Sequence, residues 1–228
     1  TLAGRYHDTD VTLRDRSGER PELNGDHNFT RFNPSLGLTF NTGDTTYYGS
    51  WSQSSRVPTP IELACNEGVF ELAQKFAEQR GEDPDDIEFE CRLPNAFLAD
   101  PPLNEVVTAT WEAGVRGSFD SLNNSVQYQL NLYAAQSRDD ILFQTTGRAT
   151  GLFANINAIL RTGFETSFTG SFAALDWYAS FSHIKATFDD DFMVLSPLHP
   201  DANADGEVEV TAGNRMPGIP QNVFKLGG

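Results

Sequence analysis

Residues 31–41 read RFNPSLGLTFN, and within them Phe32, Leu36, Leu38 and Phe40 alternate with Arg31, Asn33, Ser35, Gly37, Thr39 and Asn41. Successive side chains of a strand point to opposite faces, so this stretch has one apolar and one polar side. The short segment NTGD (41–44) follows at once, and TTYYGSWSQSS (45–55) begins a second strand-like run. The pattern predicts a β-hairpin with two chemically different faces.

The alternation recurs along the chain. In 107–119, Val107, Ala109, Trp111, Ala113, Val115 and Phe119 oppose Thr108, Thr110, Glu112, Arg116 and Ser118. In 125–134, Val126, Tyr128, Leu130, Leu132 and Ala134 oppose Ser125, Gln127, Gln129, Asn131 and Tyr133. In 160–172, Leu160, Phe164, Phe168 and Phe172 oppose Arg161, Glu165, Ser167, Thr169 and Ser171. These runs reach the roughly 9–11 residues that a tilted strand needs to cross a bilayer. Seven strands are expected, with an eighth beginning near Asn222.

The connections sort into two kinds. Short turns are expected at 41–44, 120–124 and 173–175, and long connections at 12–27, 55–104, 139–151 and 189–219. A soluble sandwich has no reason to keep its tight turns at one end. A transmembrane β-barrel does, with short periplasmic turns and long outer loops. The expected fold is therefore all-β: an antiparallel up-and-down transmembrane β-barrel segment with long extracellular loops. The outer loops look too long, and the polar face too charged, for a lumen of eight strands. Unpaired edges are not tolerated in lipid, so the segment is expected to be part of a larger barrel.

Composition narrows the function classes. Mean hydropathy is −0.40 and no stretch is long and apolar enough for a transmembrane helix. That excludes a helical membrane protein but not a barrel, whose apolar residues fall at every other position. The net charge is −16, of which six acids within 82–90 supply only part. Such general acidity argues against a nucleic-acid partner, which needs a basic stripe. No nucleophile elbow, phosphate-binding loop or dinucleotide fingerprint is present, so no catalytic residue is expected and the reading is not an enzyme.

Several of these stretches also resemble a known family. FNPSLGLTFNTGDTTYYGSWSQSSRVPTPIELAC (32–65) is similar to a strand pair of TonB-dependent outer-membrane receptors that leads into a large extracellular loop. Further matches are TWEAGVRGSF (110–119), RDDILF (138–143), RTGFETSFTG (161–170), DWYASFSHIKATF (176–188) and GNRMPGIPQNVFKLG (213–227). The resemblance covers nearly the whole chain and corresponds to the later part of the barrel, short of its end. It implies that 1–228 is part of a barrel of about 22 strands, with 55–104 as a large extracellular loop. It further implies a receptor-transporter in the outer membrane of a Gram-negative bacterium. The ligand class would be scarce: siderophore-iron, haem, cobalamin or a glycan. Implied partners are outer-membrane lipid, the plug domain of the same parent protein and, through it, the TonB complex. On that reading Arg31, Glu112, Arg116, Gln127, Gln129, Asn131, Arg161 and Glu165 face the lumen. The alternative is a secreted, soluble β-sandwich that binds carbohydrate with calcium.

Two loop features remain. Cys65 and Cys91 are the only cysteines, and an even count in an oxidising compartment suggests a disulfide. It would close a loop of about 25 residues, which corresponds to roughly 3–3.5 kcal/mol of chain entropy. Between them, Val69, Phe70, Ala73, Phe76 and Ala77 have helical spacing and predict a short helix. In DANADGEVEV (201–210), Asp201, Asn203 and Asp205 alternate before Gly206, as in the first half of an EF-hand calcium loop. Position twelve is Ala212, so Glu207 or Glu209 is expected to supply the missing carboxylate, and calcium is the one cofactor expected. Tyr47, Tyr48, Trp51, Trp111 and Trp177 suit aromatic girdles at the membrane interfaces.

Overall fold

The computed structural model of the protein describes residues 1–14, 24–64, 77–79, 81, 83, 103–121, 124–147, 150–172 and 174–228. The principal strands are β1 (Leu2–Leu13), β2 (Gly25–Thr42), β3 (Thr45–Arg56), β4 (Val106–Ser121), β5 (Asn124–Gly147), β6 (Thr150–Phe172) and β7 (Leu175–Phe188). A small hairpin, β8 (Phe192–Leu195) with β9 (Glu207–Val210), precedes β10 (Asn222–Gly227). Eight strands form one antiparallel sheet in the order β1-β2-β3-β4-β5-β6-β7-β10. Every neighbour is the next strand of the sheet in sequence, with the β8–β9 hairpin inserted between β7 and β10, which is the up-and-down topology expected from the hairpin pattern.

The pairing register converts sequence alternation into two faces. Leu36 pairs Trp51, Trp51 pairs Trp111, and Trp111 pairs Ala134. Leu132 pairs Phe164, and Phe181 pairs Phe224. Directly opposed residues share a face, so one side of the whole sheet is apolar. It is also bare: Leu38 is 72% exposed, Phe40 67% and Trp111 63%. A water-soluble protein does not leave so broad an apolar surface uncovered. Among the described residues the other sheet is the two-stranded β8–β9 hairpin, not the packed second layer that the β-sandwich alternative expects.

Aromatic rings mark the short-turn end of this face. Phe40 and Tyr47 lie 6.5 Å apart beside the β2–β3 turn, where Gly43 takes φ 54°. Phe119 and Tyr128 lie 6.1 Å apart near the β4–β5 turn. Trp51 and Trp111, at 6.1 Å, form a pair further up the sheet. Tyr48 does not join them. It pairs Thr39 and Gly114 on the polar face, because TTYYGS puts an aromatic on each side of the strand.

A one-layer sheet lacks a core, and side chains pack sideways instead. Tyr48 covers Gly114 and Tyr133 covers Gly163 on the polar face, while Tyr128 covers Gly117 and Trp177 covers Gly170 on the apolar face. A β-carbon at Gly114 would overlap the Tyr48 ring. Among the described residues, a buried apolar cluster of Ile156, Ile159 and Phe188 sits at the long-loop end. Leu142, Phe192, Val210 and Met216 pack onto it, so the β8–β9 hairpin is folded back against β5–β7.

The expected long loop at 139–151 is not a loop. β5 and β6 stay paired from Val126 and Gly170, at the short-turn end of the sheet, out to Gly147 and Thr150, in strands of 24 and 23 residues. Asp139 at φ 54° and a register shift between Thr145 and Gly147 absorb the irregularity that the sequence advertises. Phe143 and Phe153, edge to face at 5.1 Å, hold the extension together. The expected helix within 69–77 lies mostly outside the described residues, although 77–79 is helical and Ala77 is fully buried.

Beyond β3 the chain enters α1 (Pro60–Ala64) through a capping box. The Thr59 N–H and hydroxyl donate to Glu62 Oε2 at 2.7 and 2.9 Å, and Arg56 donates to the same oxygen at 2.7 Å. Burial works against the Glu62 charge, but these donors outweigh it and hold the carboxyl below its ordinary 4.5. A lowered folded pKa contributes stability above the unfolded value and loses it as pH falls through the folded one. Acidification below about pH 4.5 should therefore lower the protection factor of the Thr59 amide, the intrinsic exchange rate at that pH over the observed one, and Glu62→Gln should lower it at neutral pH.

The facing assignment is testable by two arginines. Phe164→Arg places a cation in the apolar band, where it costs roughly 2–4 kcal/mol at mid-bilayer, and should abolish the heat-modifiable form of the parent protein. Ser167→Arg, on the opposite face, should assemble normally. Equal tolerance at both positions would refute the assignment.

Candidate functional site

The polar face carries the chemistry, and strand register decides which of its side chains meet. All eight residues expected there lie on it: Arg31 on β2, Glu112 and Arg116 on β4, Gln127, Gln129 and Asn131 on β5, and Arg161 and Glu165 on β6. They fall into three groups rather than one.

The first group is a shallow band across β3–β7. Arg116 lies 5.9 Å from the centroid of the Tyr48 ring, a cation–π contact. The Tyr48 hydroxyl donates to Asn131 Oδ1 at 3.3 Å and accepts from Gln129 Nε2 at 3.5 Å. A concavity of about 490 Å³ joins Arg116, Gln127 and Gln129 to Asp44, Thr46 and Ser167. A second, of about 410 Å³, joins Gln129, Asn131 and Glu165 to Ser180, Ser182 and Lys225. Amides and hydroxyls dominate the band, so it offers many donors and acceptors but little net charge. Glu112, opposite Ser50 and Tyr133, stands beside it, exposed.

The second group centres on Arg161. Its guanidinium donates to Ser137 Oγ at 2.9 Å and to Asp140 Oδ2 at 3.2 Å, and it contacts Met216 Sδ at 3.7 Å. It thereby ties the β5–β6 extension to the 189–221 segment. Backbone bonds reinforce the tie: Met216 N–H donates to Ala186 O at 3.0 Å, and Gly213 N–H to Phe188 O at 2.8 Å.

The third group was invisible in the sequence apart from Arg31. Glu105, 7% exposed, stands immediately before β4 and reaches past β3 to the first two strands. Its Oε1 is ion-paired with Arg31 Nε, and its Oε2 lies 3.3 Å from His7 Nε2. His7 and Arg31 are direct register partners. Asn33, also buried, donates to Ser55 Oγ at 3.0 Å and accepts from Gln53 Nε2 at 3.4 Å. A cleft of about 480 Å³ opens beside this network, lined by Arg5, His7, Asn33, Ser52 and Ser54 among others. The network anchors the base of the 57–105 connection to the sheet.

The calcium expectation meets a different geometry. Asn203 Oδ1 accepts the backbone N–H groups of Asp205 and Glu207 at 3.0 and 2.8 Å. Asn203 N–H donates to Glu207 O at 2.8 Å, and Ser196 N–H to Gly206 O at 2.8 Å. The loop is thus an Asx turn closing the β8–β9 hairpin. The Asp201 carboxylate is 3.9 Å from His199 Nδ1. Among the described residues no three Asp, Glu, His or Cys side chains are grouped to hold a metal ion. The Asn203 oxygen is engaged by two backbone N–H groups, and Asp201, Asp205, Glu207 and Glu209 are not drawn together as a group. Cys65 and Cys91 lie outside the described residues.

A one-layer antiparallel sheet with a bare apolar side, aromatics at its turn end and a polar inner side is the wall of a transmembrane β-barrel. Residues 1–228 match the family model described as TonB dependent receptor-like, beta-barrel, and the protein belongs to that family. A sequence search of curated proteins found no match. Among solved structures the chain resembles the copper transporter OprC, with TM-score 0.56 and 18% identity over 81% of this chain and 25% of that one. It also resembles a double mutant of the Serratia marcescens hemophore receptor HasR in complex with its hemophore HasA and heme. There the TM-score is 0.52 and the identity 11%, over 100% of this chain and 37% of that one. Identities this low speak for the fold alone, and the chain spans well under half of either structure.

Removing the Glu105 carboxylate should loosen the 57–105 connection. We expect Glu105→Ala to cost about 2 kcal/mol, below the full cost of breaking a buried pair because Arg31 is part-exposed. Limited proteolysis of the parent protein should then cut faster between β3 and β4, while Glu112→Ala, exposed on the same face, should leave that rate unchanged.

Proposed function

We propose that this chain forms part of the wall of an outer-membrane receptor of about 22 strands that takes up a scarce ligand with TonB-coupled energy. The observation that carries the reading is the two-faced, one-layer sheet in a chain that matches the receptor-barrel family from end to end. The apolar side meets outer-membrane lipid. The polar side lines the lumen, where Arg116, Gln127, Gln129, Asn131 and Glu165 face a plug domain of the same parent protein and hydrated ligand passing beside it. The plug relays the TonB complex. Residues 57–105 and 189–221 form the outer rim, fixed by Glu105 and Arg161 respectively.

The rim and lumen offer hydroxyls, amides and a few charges, which suit the polar groups of a ferric siderophore, cobalamin or a glycan, or the propionates of haem. The wall supplies recognition and passage, with no bond-making step assigned to it. Membrane fractionation of the complete parent protein, read by heat-modifiable gel migration, tests this first. Recovery in the outer membrane as a compact form that shifts only on boiling is expected. So is loss of growth on one limiting ligand when the gene is deleted. A protein soluble without detergent would refute the reading.

A further inference from the structure

Of the ten described lysines and arginines, Arg5, Arg138, Lys185, Arg215 and Lys225 join no ion pair or ring contact among the described residues, and Lys185 and Arg215 stand together on the outward side of β7. Arg14, Arg31, Arg56 and Arg161 are ion-paired, and Arg116 lies over Tyr48. Among the described residues Lys185 and Arg215 join no ion pair, and both are exposed.

Their position follows from register. Phe181 pairs Phe224 on the apolar side. Two residues on, His183 stacks on Phe164 at 5.8 Å, with Nδ1 2.8 Å from Asn222 Oδ1. Two further on, Lys185 stands opposite Thr162 on the same side. Thr187 then bridges antiparallel to Arg215, which makes Arg215 the diagonal neighbour of Lys185, roughly 7–8 Å away at the backbone and within reach of long side chains. Asp189, further along that face, accepts from Gln136 Nε2 at 2.6 Å and forms no ion pair with either cation.

From the short-turn end outward, β7 therefore presents Trp177, Ala179 and Phe181, then an imidazole, then an ammonium beside a guanidinium. That is the order of a lipid leaflet read from chains to head group. From Trp177 to Lys185 is roughly 26 Å along a strand, or about 20 Å once tilted, comparable to an apolar band of about 25 Å. In a protein of net charge −16, two unmatched cations that are diagonal neighbours stand out against their surroundings.

Resting on the membrane-barrel reading above, we propose that Lys185 and Arg215 form a site on the outer wall for the phosphate of an anionic lipid head group in the outer leaflet. Lipid, not a free anion, is the occupant. The cations open sideways onto exposed apolar rings, Phe224 at 66% exposure among them, where the acyl chains of the same molecule would lie.

The test is native mass spectrometry of the complete receptor in detergent, with diphosphoryl lipid A as the probe and its dephosphorylated form as the comparison. The wild type should retain the phosphorylated lipid preferentially. Losing both cations in Lys185→Ser/Arg215→Ser should lower retention at least fivefold, since each contributes about that factor near an anionic surface. Lys185→Arg/Arg215→Lys should restore it, and excess inorganic pyrophosphate should not displace it. Undiminished retention in the double serine variant, equal binding of the dephosphorylated lipid, or displacement by pyrophosphate would each overturn the proposal. Every variant is first checked for the heat-modifiable form. Absence of that form in the wild type would instead sink the barrel reading, before any lipid is added.

Discussion

Every backbone N–H and C=O in a lipid-facing segment must find its partner inside the protein, and here the partner is always sideways. β4 bonds to β3 and β5, β5 to β4 and β6, β6 to β5 and β7, in antiparallel register that β5–β6 resumes beyond Asp139 and shifts between Thr145 and Gly147. Because the ladder alone satisfies the backbone, neither face of the sheet has to be buried by another layer. One face is then free to match hydrocarbon and the other to match water. The period-two alternation, the bare aromatics and the absence of a central core among the described residues all follow from that single constraint.

A wall built this way needs other means of becoming stiff. Tyrosine and tryptophan rings laid over glycines on neighbouring strands, as Tyr48 lies over Gly114 and Trp177 over Gly170, fill surface that no second layer covers. Charged ties then fasten the connections. Glu105 joins the start of β4 to β1 and β2, and Arg161 joins β6 to the 189–221 segment. Both ties lie at the long-loop end, where the sheet also acquires an apolar cluster around Ile159 and Phe188. The end that meets the ligand in our reading is thus the better braced of the two.

What could be read from sequence was what depends on neighbours one or two residues away. Alternation assigned Phe32, Leu132 and Phe164 to one side and Arg31, Asn131 and Glu165 to the other, and the register agrees at each. What could not be read depends on distant pairing. Glu105 meets Arg31 across 74 residues only because β3 lies between them in the sheet, and no spacing rule encodes that. Tyr48 was misplaced among the girdle aromatics because two adjacent tyrosines cannot both face lipid. The polar run at 139–151 suggested a loop, yet a single left-handed residue, Asp139, let the ladder continue. DANADG shows a different limit. Oxygen-rich side chains before a glycine serve a cation loop and an Asx turn equally well, and only the direction of the Asn203 oxygen separates the two.

On the proposed outer-membrane reading, the long β5–β6 hairpin changes what the cell presents to its surroundings. Strands of 24 and 23 residues measure roughly 75–80 Å if fully extended, far more than a bilayer requires. Much of what an antibody or a phage would touch there is consequently a paired ladder, not a slack loop. A loop escapes recognition by insertion and deletion, which it tolerates freely. A ladder does not, because losing one residue turns every side chain beyond it to the opposite face. Antigenic change in this arm is therefore confined to substitutions, and mainly to alternate positions.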